Sequence, residues 1–298
     1  MQAHQQMRKV LGTVVLVLAV ACTGPEALPQ LRAYDAAVQQ TSVASGRLLD
    51  ELSVAERKLL QDQAGKPGPT APLGVDELFD PKKATIFATE ADPPLTHAYR
   101  RALEVVASYN SALIALAEGR GLETLQADAG RLADELAGIA ELAGIGASAV
   151  PGLGATLPAL RLAIDEAAKA ASRAAFREAF LREYSVVDGI LVAMRDGTAD
   201  VFPILTRSNL ALLRRARIEN APPGIRAALA ARHEAWRAAL SDWVVLIDET
   251  RAAMAAVRAR LNSPEVQLAD IADRSAQLRA LAGAIRLSLV RARSDVQP

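Results

Sequence analysis

The sequence predicts an all-α fold: an elongated antiparallel helical bundle with coiled-coil-like long helices. Three observations carry this. Apolar residues recur at spacings of three and four along most of the chain. Two C-terminal segments, 222–261 and 263–289, hold that spacing without a break. No stretch alternates with the period of two that a strand requires. Composition agrees. The chain has 298 residues, 51% of them apolar and only 4% aromatic. That apolar fraction excludes wholesale disorder. Lys+Arg and Asp+Glu number 34 each, which excludes a strongly basic nucleic-acid binder. A single cysteine excludes an internal disulfide, a Cys-based zinc site and an iron–sulfur cluster.

Each element follows from its own pattern. Leu31, Tyr34, Val38, Thr41, Ser45, Leu48, Leu52, Ala55 and Leu59 mark one stripe of a helix, which Gly65, Pro67, Gly68 and Pro69 end. Residues 64–94 then carry six prolines and read as an irregular loop. Within it a short turn is expected near 75–79 and an extended piece at 84–88, with Phe79 and Phe87 tucked onto the bundle. A second helix over 94–117 has two apolar rows, Tyr99, Leu103, Val106 and Leu113 beside Val105, Tyr109 and Leu116. Two rows make a wide apolar face, so this helix is expected to be central. Gly119 and Gly121 break it. The next stripe runs from Leu122 through Leu125, Ala129, Leu132, Leu136 and Ile139.

Residues 142–160 contain no charge, four glycines and two prolines. Either they form a buried tight bend, or Pro151 and Gly152 turn a membrane-touching hairpin. Each arm of such a hairpin has about eight residues, or about 12 Å as helix, against a hydrocarbon core of about 30 Å. A single alanine-rich helix is expected over 158–184. Gly189, Gly197 and Pro203 punctuate the chain, and 204–220 reads as a shorter helix. Pro222 and Pro223 start the longest one, with its stripe at Leu229, His233, Trp236, Leu240, Trp243, Ile247, Thr250, Met254, Val257 and Leu261. Ser263 and Pro264 have the residue types of a cap and a first helical position. The last helix has its stripe at Leu268, Ile271, Ser275, Leu278, Ala282, Ile285 and Leu289. A short link between two such helices implies an antiparallel hairpin.

The first residues have a different logic. Arg8 and Lys9 precede an uncharged run over 10–20, then small residues, then Cys22. A basic start, a short apolar core and a small-residue exit make a secretory signal. The ending Ala19-Val20-Ala21-Cys22 resembles the lipobox of bacterial lipoproteins. That resemblance implies cleavage before Cys22, with a diacylglycerol on its thiol and an acyl chain on its amine. Two or more chains give stable membrane attachment where one gives marginal binding. The expected organisation is a signal peptide over 1–21, a lipid-anchored tether over 22–30 and a helical bundle domain over 31–298. By the same resemblance, Thr23 after the cysteine favours the outer membrane. The cleaved chain loses two cations and no acid, and becomes slightly acidic.

The motifs of chemistry are sparse. His233-Glu234 begins like the zinc motif HExxH, but Arg237 stands where the second histidine belongs. His233 reads as a packing residue on its stripe, and His97 as an exposed residue at a helix start. No nucleophile motif occurs, and the glycine pairs at 144/146 and 152/154 lack the spacing of a phosphate loop. The remaining signal is basic. Seven arginines lie between 207 and 237 (207, 214, 215, 217, 226, 232 and 237) against Glu219 and Glu234. Four more, from Arg279 to Arg293, have no acid among them. Arg207, Arg214, Arg215 and Arg217 are the candidates for contact with anionic lipid headgroups or an acidic partner, against the plainer reading of a solvated helix face.

The sequence thus predicts a lipid-anchored envelope protein with a scaffold or adaptor role facing the periplasm. Its expected partners are the membrane, through Cys22, and another envelope protein, with self-association open. No enzyme activity, metal, cofactor or nucleic acid is expected. A membrane-perturbing protein in the style of helical pore formers, and a periplasmic helical enzyme without a readable motif, are the alternatives.

Overall fold

The computed structural model describes residues 27–64, 81, 84–88, 90–142, 153–263 and 268–293. These residues form helices and no strand. In order they are α1 (Ala27–Ala64), α2 (Ala84–Phe87), α3 (Pro94–Ala117), α4 (Leu122–Leu142), α5 (Leu153–Ala168), α6 (Arg173–Arg182), α7 (Tyr184–Asp196), α8 (Thr198–Ile218), α9 (Pro223–Asn262) and α10 (Leu268–Arg293). At about 1.5 Å per residue, α1 is about 57 Å long and α9 about 60 Å.

Cross-helix bonds give the packing directions. Arg274 reaches Glu249, Ser288 reaches Asp242 and Arg232 reaches the Ala292 carbonyl, so α9 and α10 form an antiparallel hairpin. Tyr34 meets Asn110 and Asp50 meets Arg100, so α1 and α3 are also antiparallel. Arg279 donates to the Ala33 carbonyl and Arg293 pairs with Glu51. The closing pair α1 and α10 is therefore parallel, because both contacts advance together along the two helices.

The stripes are buried as expected. Along α9, Leu229, Trp236, Leu240, Trp243, Ile247, Thr250, Met254 and Val257 are buried, with His233 and Leu261 half-buried. Helix α3 is central, and from Ala112 to Ala117 every residue is buried. The middle of the bundle is aromatic and polar together. The Tyr99 ring lies 5.6 Å from that of Trp243. The Trp243 indole donates to Ser45 Oγ at 3.1 Å, and Tyr34 donates to Asn110 Oδ1 at 2.5 Å. Tyr109 stacks on Phe180 at 4.4 Å and donates to its carbonyl at 3.1 Å. Burial raises the pKa of all four tyrosines, 34, 99, 109 and 184.

One support spans the chain. Pro93 caps α3 and has no side-chain acceptor for its first amides. The buried carboxylate of Glu56, on α1, substitutes. It accepts from the backbone N–H groups of Leu95 and Thr96 and from the Thr96 hydroxyl, each at 2.8 Å. A carboxylate at a helix N-terminus also favours the dipole.

Several expectations are corrected. Helix α1 begins at Ala27, so the expected tether is helical over its last residues. Residues 84–87 are a helical turn and not an extended piece, and Phe87 is exposed. The single helix over 158–184 is two, because the Ser172 hydroxyl accepts from Ala175 N–H and starts α6. Gly189 lies inside α7, and Pro203 lies inside α8, which begins at Thr198 after Gly197. Gly197 is required there, since a Cβ would collide with the Tyr99 hydroxyl. His97 is half-buried and not exposed. The turn at 75–79 with Phe79, and Pro264 to Glu265, lie outside the described residues.

Candidate functional site

The basic segment singled out above forms the end of the α8–α9 hairpin. Helix α8 buries Val201, Leu205, Asn209 and Ala216 on one side. Asn209 Nδ2 donates to the Leu229 carbonyl at 2.9 Å and ties the two arms. At 100° per residue, Arg207, Arg214 and Ile218 fall on the opposite side of α8. Arg215 and Arg217 lie on its two flanks. The helix ends with Asn220 at φ 53°, and Ala221 N–H returns to the Ala216 carbonyl at 2.9 Å. That is the left-handed close in which asparagine is tolerated. Pro222 and Pro223 then start α9 in the reverse direction.

The seven arginines of this segment divide into two groups. Arg232 donates to the Ala292 carbonyl at 2.8 Å. Arg237 pairs with Glu234 at 3.3 Å and lies over the Phe202 ring. Arg215 pairs with Glu219 at 2.7 Å, and that bond raises its pKa. Arg207, Arg214, Arg217 and Arg226 are exposed and form no ion pair among the described residues. Two aliphatic side chains of α8 stand in water, Ile218 beside Arg214 on the outer side and Leu212 on the side that carries the buried residues. Ile218 is 82% exposed and Leu212 47%. The exposed Ile218 beside guanidiniums without an ion pair marks this hairpin end.

Its position is the second distinguishing feature. Trp243 on α9 meets Ser45 on α1. From that level α9 runs back about 30 Å to Pro223, and α1 runs about 27 Å the other way to Ala27. The hairpin end and the start of α1 are therefore about 57 Å apart along the bundle. The arginines of α10 are partly engaged, Arg279 with Ala33, Arg286 with the Ala282 carbonyl and Arg293 with Glu51.

Other charged clusters are internal struts. Arg251 makes paired bonds to Asp188 at 2.8 and 2.9 Å, and Asp248 bridges Arg251 and Arg195 at 3.2 Å each, joining α7 to α9. His233 packs edge-on against Phe202 at 5.2 Å. Among the described residues its Nδ1 has no hydrogen-bond partner. An open groove between α7, α8 and α9 is lined by Phe202, Leu240, Val244 and Val245, and the Arg195 and Arg237 at its edges are already paired. Burial raises the pKa of Glu135, which accepts from Ser108 at 2.9 Å, and of Asp35. Among the described residues no cluster of His, Cys, Asp and Glu has a metal-binding arrangement. No helix of the described residues is long and apolar enough to cross a membrane.

Of the residues that the sequence alone nominates, Arg214, Arg215 and Arg217 stand at one hairpin end, joined by Arg226, and Arg207 lies about 16 Å further down the outer side of α8. The exposed Ile218 and Leu212 are additions from the structure. The signal of Ile218 is present in the sequence, since it breaks the spacing of the buried face of α8, whereas Leu212 keeps that spacing and its exposure shows only in the structure. Cys22, Pro151 and Gly152 lie outside the described residues. Comparison with known protein families, curated proteins and solved structures returns no match for this chain.

Proposed function

We propose that this chain is a lipid-anchored adaptor of the bacterial cell envelope, acylated at Cys22 in the outer membrane, with a helical body facing the periplasm. It works by holding a second envelope component and does no chemistry of its own. The observation that carries this reading is the separation of two features. The residues that follow the lipobox-like Ala19-Val20-Ala21-Cys22 enter the body at Ala27. The unpaired arginines with exposed aliphatics stand at the other end of α9. A body stiffened by two helices of 38 and 40 residues suits presentation of a surface at a distance from an anchor.

The anchor is tested by feeding the native host a clickable fatty acid. The wild-type chain takes the label and sediments with the envelope membranes. The Cys22→Ser chain takes none and is found in the soluble extract. A labelled Cys22→Ser chain, or an unlabelled wild type, overturns the proposal.

A further inference from the structure

We infer that the α8–α9 hairpin end binds a phosphate-bearing anionic lipid surface, in trans to the membrane that holds the anchor. This rests on the tethered-adaptor reading and names the component it holds.

Three features favour a lipid surface over an acidic protein. First, the cations surround the hairpin end and do not form one face. Arg214, Arg215 and Arg217 project to three sides of α8, and Arg226 adds a further cation from α9. A plane met end-on can engage such a ring, whereas a one-sided protein face leaves half of it unused. Second, Ile218, 82% exposed, stands beside Arg214 on the outer side of α8. Aliphatics at the headgroup boundary with guanidiniums snorkelling around them are the arrangement of interfacial helices. Third, the open groove nearby lies lower on the hairpin, at Phe202 and Val244, and its arginines are already paired. Arginine suits the ligand, because its planar fork bonds phosphate through two N–H groups at once.

The trans geometry takes the body to stand upright on its anchor, with the axial offset of about 57 Å between the hairpin end and Ala27. The tether over 22–26 spans at most about 18 Å when fully extended, from about 3.5 Å per residue. It cannot bring an upright body's far end back to its own bilayer. The chain should therefore join two surfaces.

The test uses the acylated full chain anchored in neutral phosphatidylcholine vesicles, mixed with dye-labelled vesicles containing phosphatidylglycerol. The labelled vesicles are expected to be captured, and neutral labelled vesicles are not. Each cation near a lipid surface contributes about a fivefold factor in binding. The variant Arg214→Gln/Arg217→Gln/Arg226→Gln should weaken capture by about a hundredfold while its helical spectrum is unchanged, and Arg207→Gln, about 16 Å from the tip, should change it little. Raising the salt well beyond physiological strength should weaken wild-type capture at least tenfold. Ile218→Asp, with all arginines present, should also reduce capture, which a purely electrostatic contact would not predict. Capture that survives the three substitutions overturns the proposal. So does a chain that binds polyglutamate but no vesicle, which would assign the surface to an acidic protein. A chain anchored in anionic vesicles that captures no second anionic population would place the hairpin on its own bilayer and overturn the trans geometry. Failure of the anchor is recognised separately, because flotation then leaves the protein behind the neutral vesicles. In that event the unacylated full chain is mixed with anionic vesicles alone: binding upholds the hairpin assignment, and no binding overturns it.

Discussion

The middle of the bundle and the end of its α8–α9 hairpin use the same helical material and reach opposite results. Around Trp243 and Tyr99, large side chains are fully buried and their polar atoms find partners on neighbouring helices. At Arg214 to Arg226 the aliphatics and cations face water. The difference teaches where stability and interaction reside. Substitutions in the middle should unfold the protein, and substitutions at the hairpin end should leave it folded and alter only what it touches.

The largest expected effect is alkaline. Burial holds the pKa of Tyr34, Tyr99 and Tyr109 above the ordinary value near 10. The folded state therefore keeps protons that the unfolded chain releases, and stability falls as pH rises past the unfolded value. Each tyrosine contributes about 1.4 kcal/mol per pH unit in that window, or about 4 kcal/mol for the three together. Tyrosinate absorbance should appear together with loss of helix by circular dichroism. Tyrosinate appearing while the helices persist would show that the middle is not closed.

Next is Trp243→Ala. Removing a fully buried indole should cost about 3–5 kcal/mol, read from denaturant unfolding. Wild-type emission should be blue-shifted, with Trp236 and Trp243 both buried. A red maximum would put them in water.

Glu56→Ala should cost about 2–3 kcal/mol, because two α3 amides and the Thr96 hydroxyl lose their acceptor inside the protein. Glu56→Gln should recover part of that loss. Gly197→Ala should cost about 1–3 kcal/mol, through the collision with Tyr99. The smallest effect belongs to the other region. Ile218→Asp or Arg214→Gln should change unfolding free energy by no more than about 0.5 kcal/mol. A larger loss would mean that the hairpin end is part of the core and not a contact surface.

Much of the middle is legible in the sequence because long helices repeat their apolar positions many times. Ten positions on α9 and seven on α10 are enough to predict both helices and their pairing. The boundaries around α5, α6 and α7 are not legible. No glycine or proline separates Lys169 from Tyr184, and the break depends on one Ser172 cap. Glu56 is invisible for a different reason. Its partners are 39 and 40 residues away, beyond any local pattern. Residues 84–87 mislead because Thr85, Ile86 and Phe87 have strand propensity, yet with no strand partner among the described residues they close a helical turn. The candidate site is half legible. The arginine cluster shows in the sequence, but its position at the far end of α9 from Ala27 needs the pairing of Trp243 with Ser45.

A tethered adaptor requires the acylated Cys22, and intact-mass analysis of the chain extracted from its own host's membranes examines that most directly. The expected species begins at Cys22, lacks residues 1–21 and carries the added mass of a diacylglyceryl group with an acyl chain on the amine. A species that begins at Met1, or one with an unmodified Cys22 thiol, would contradict it.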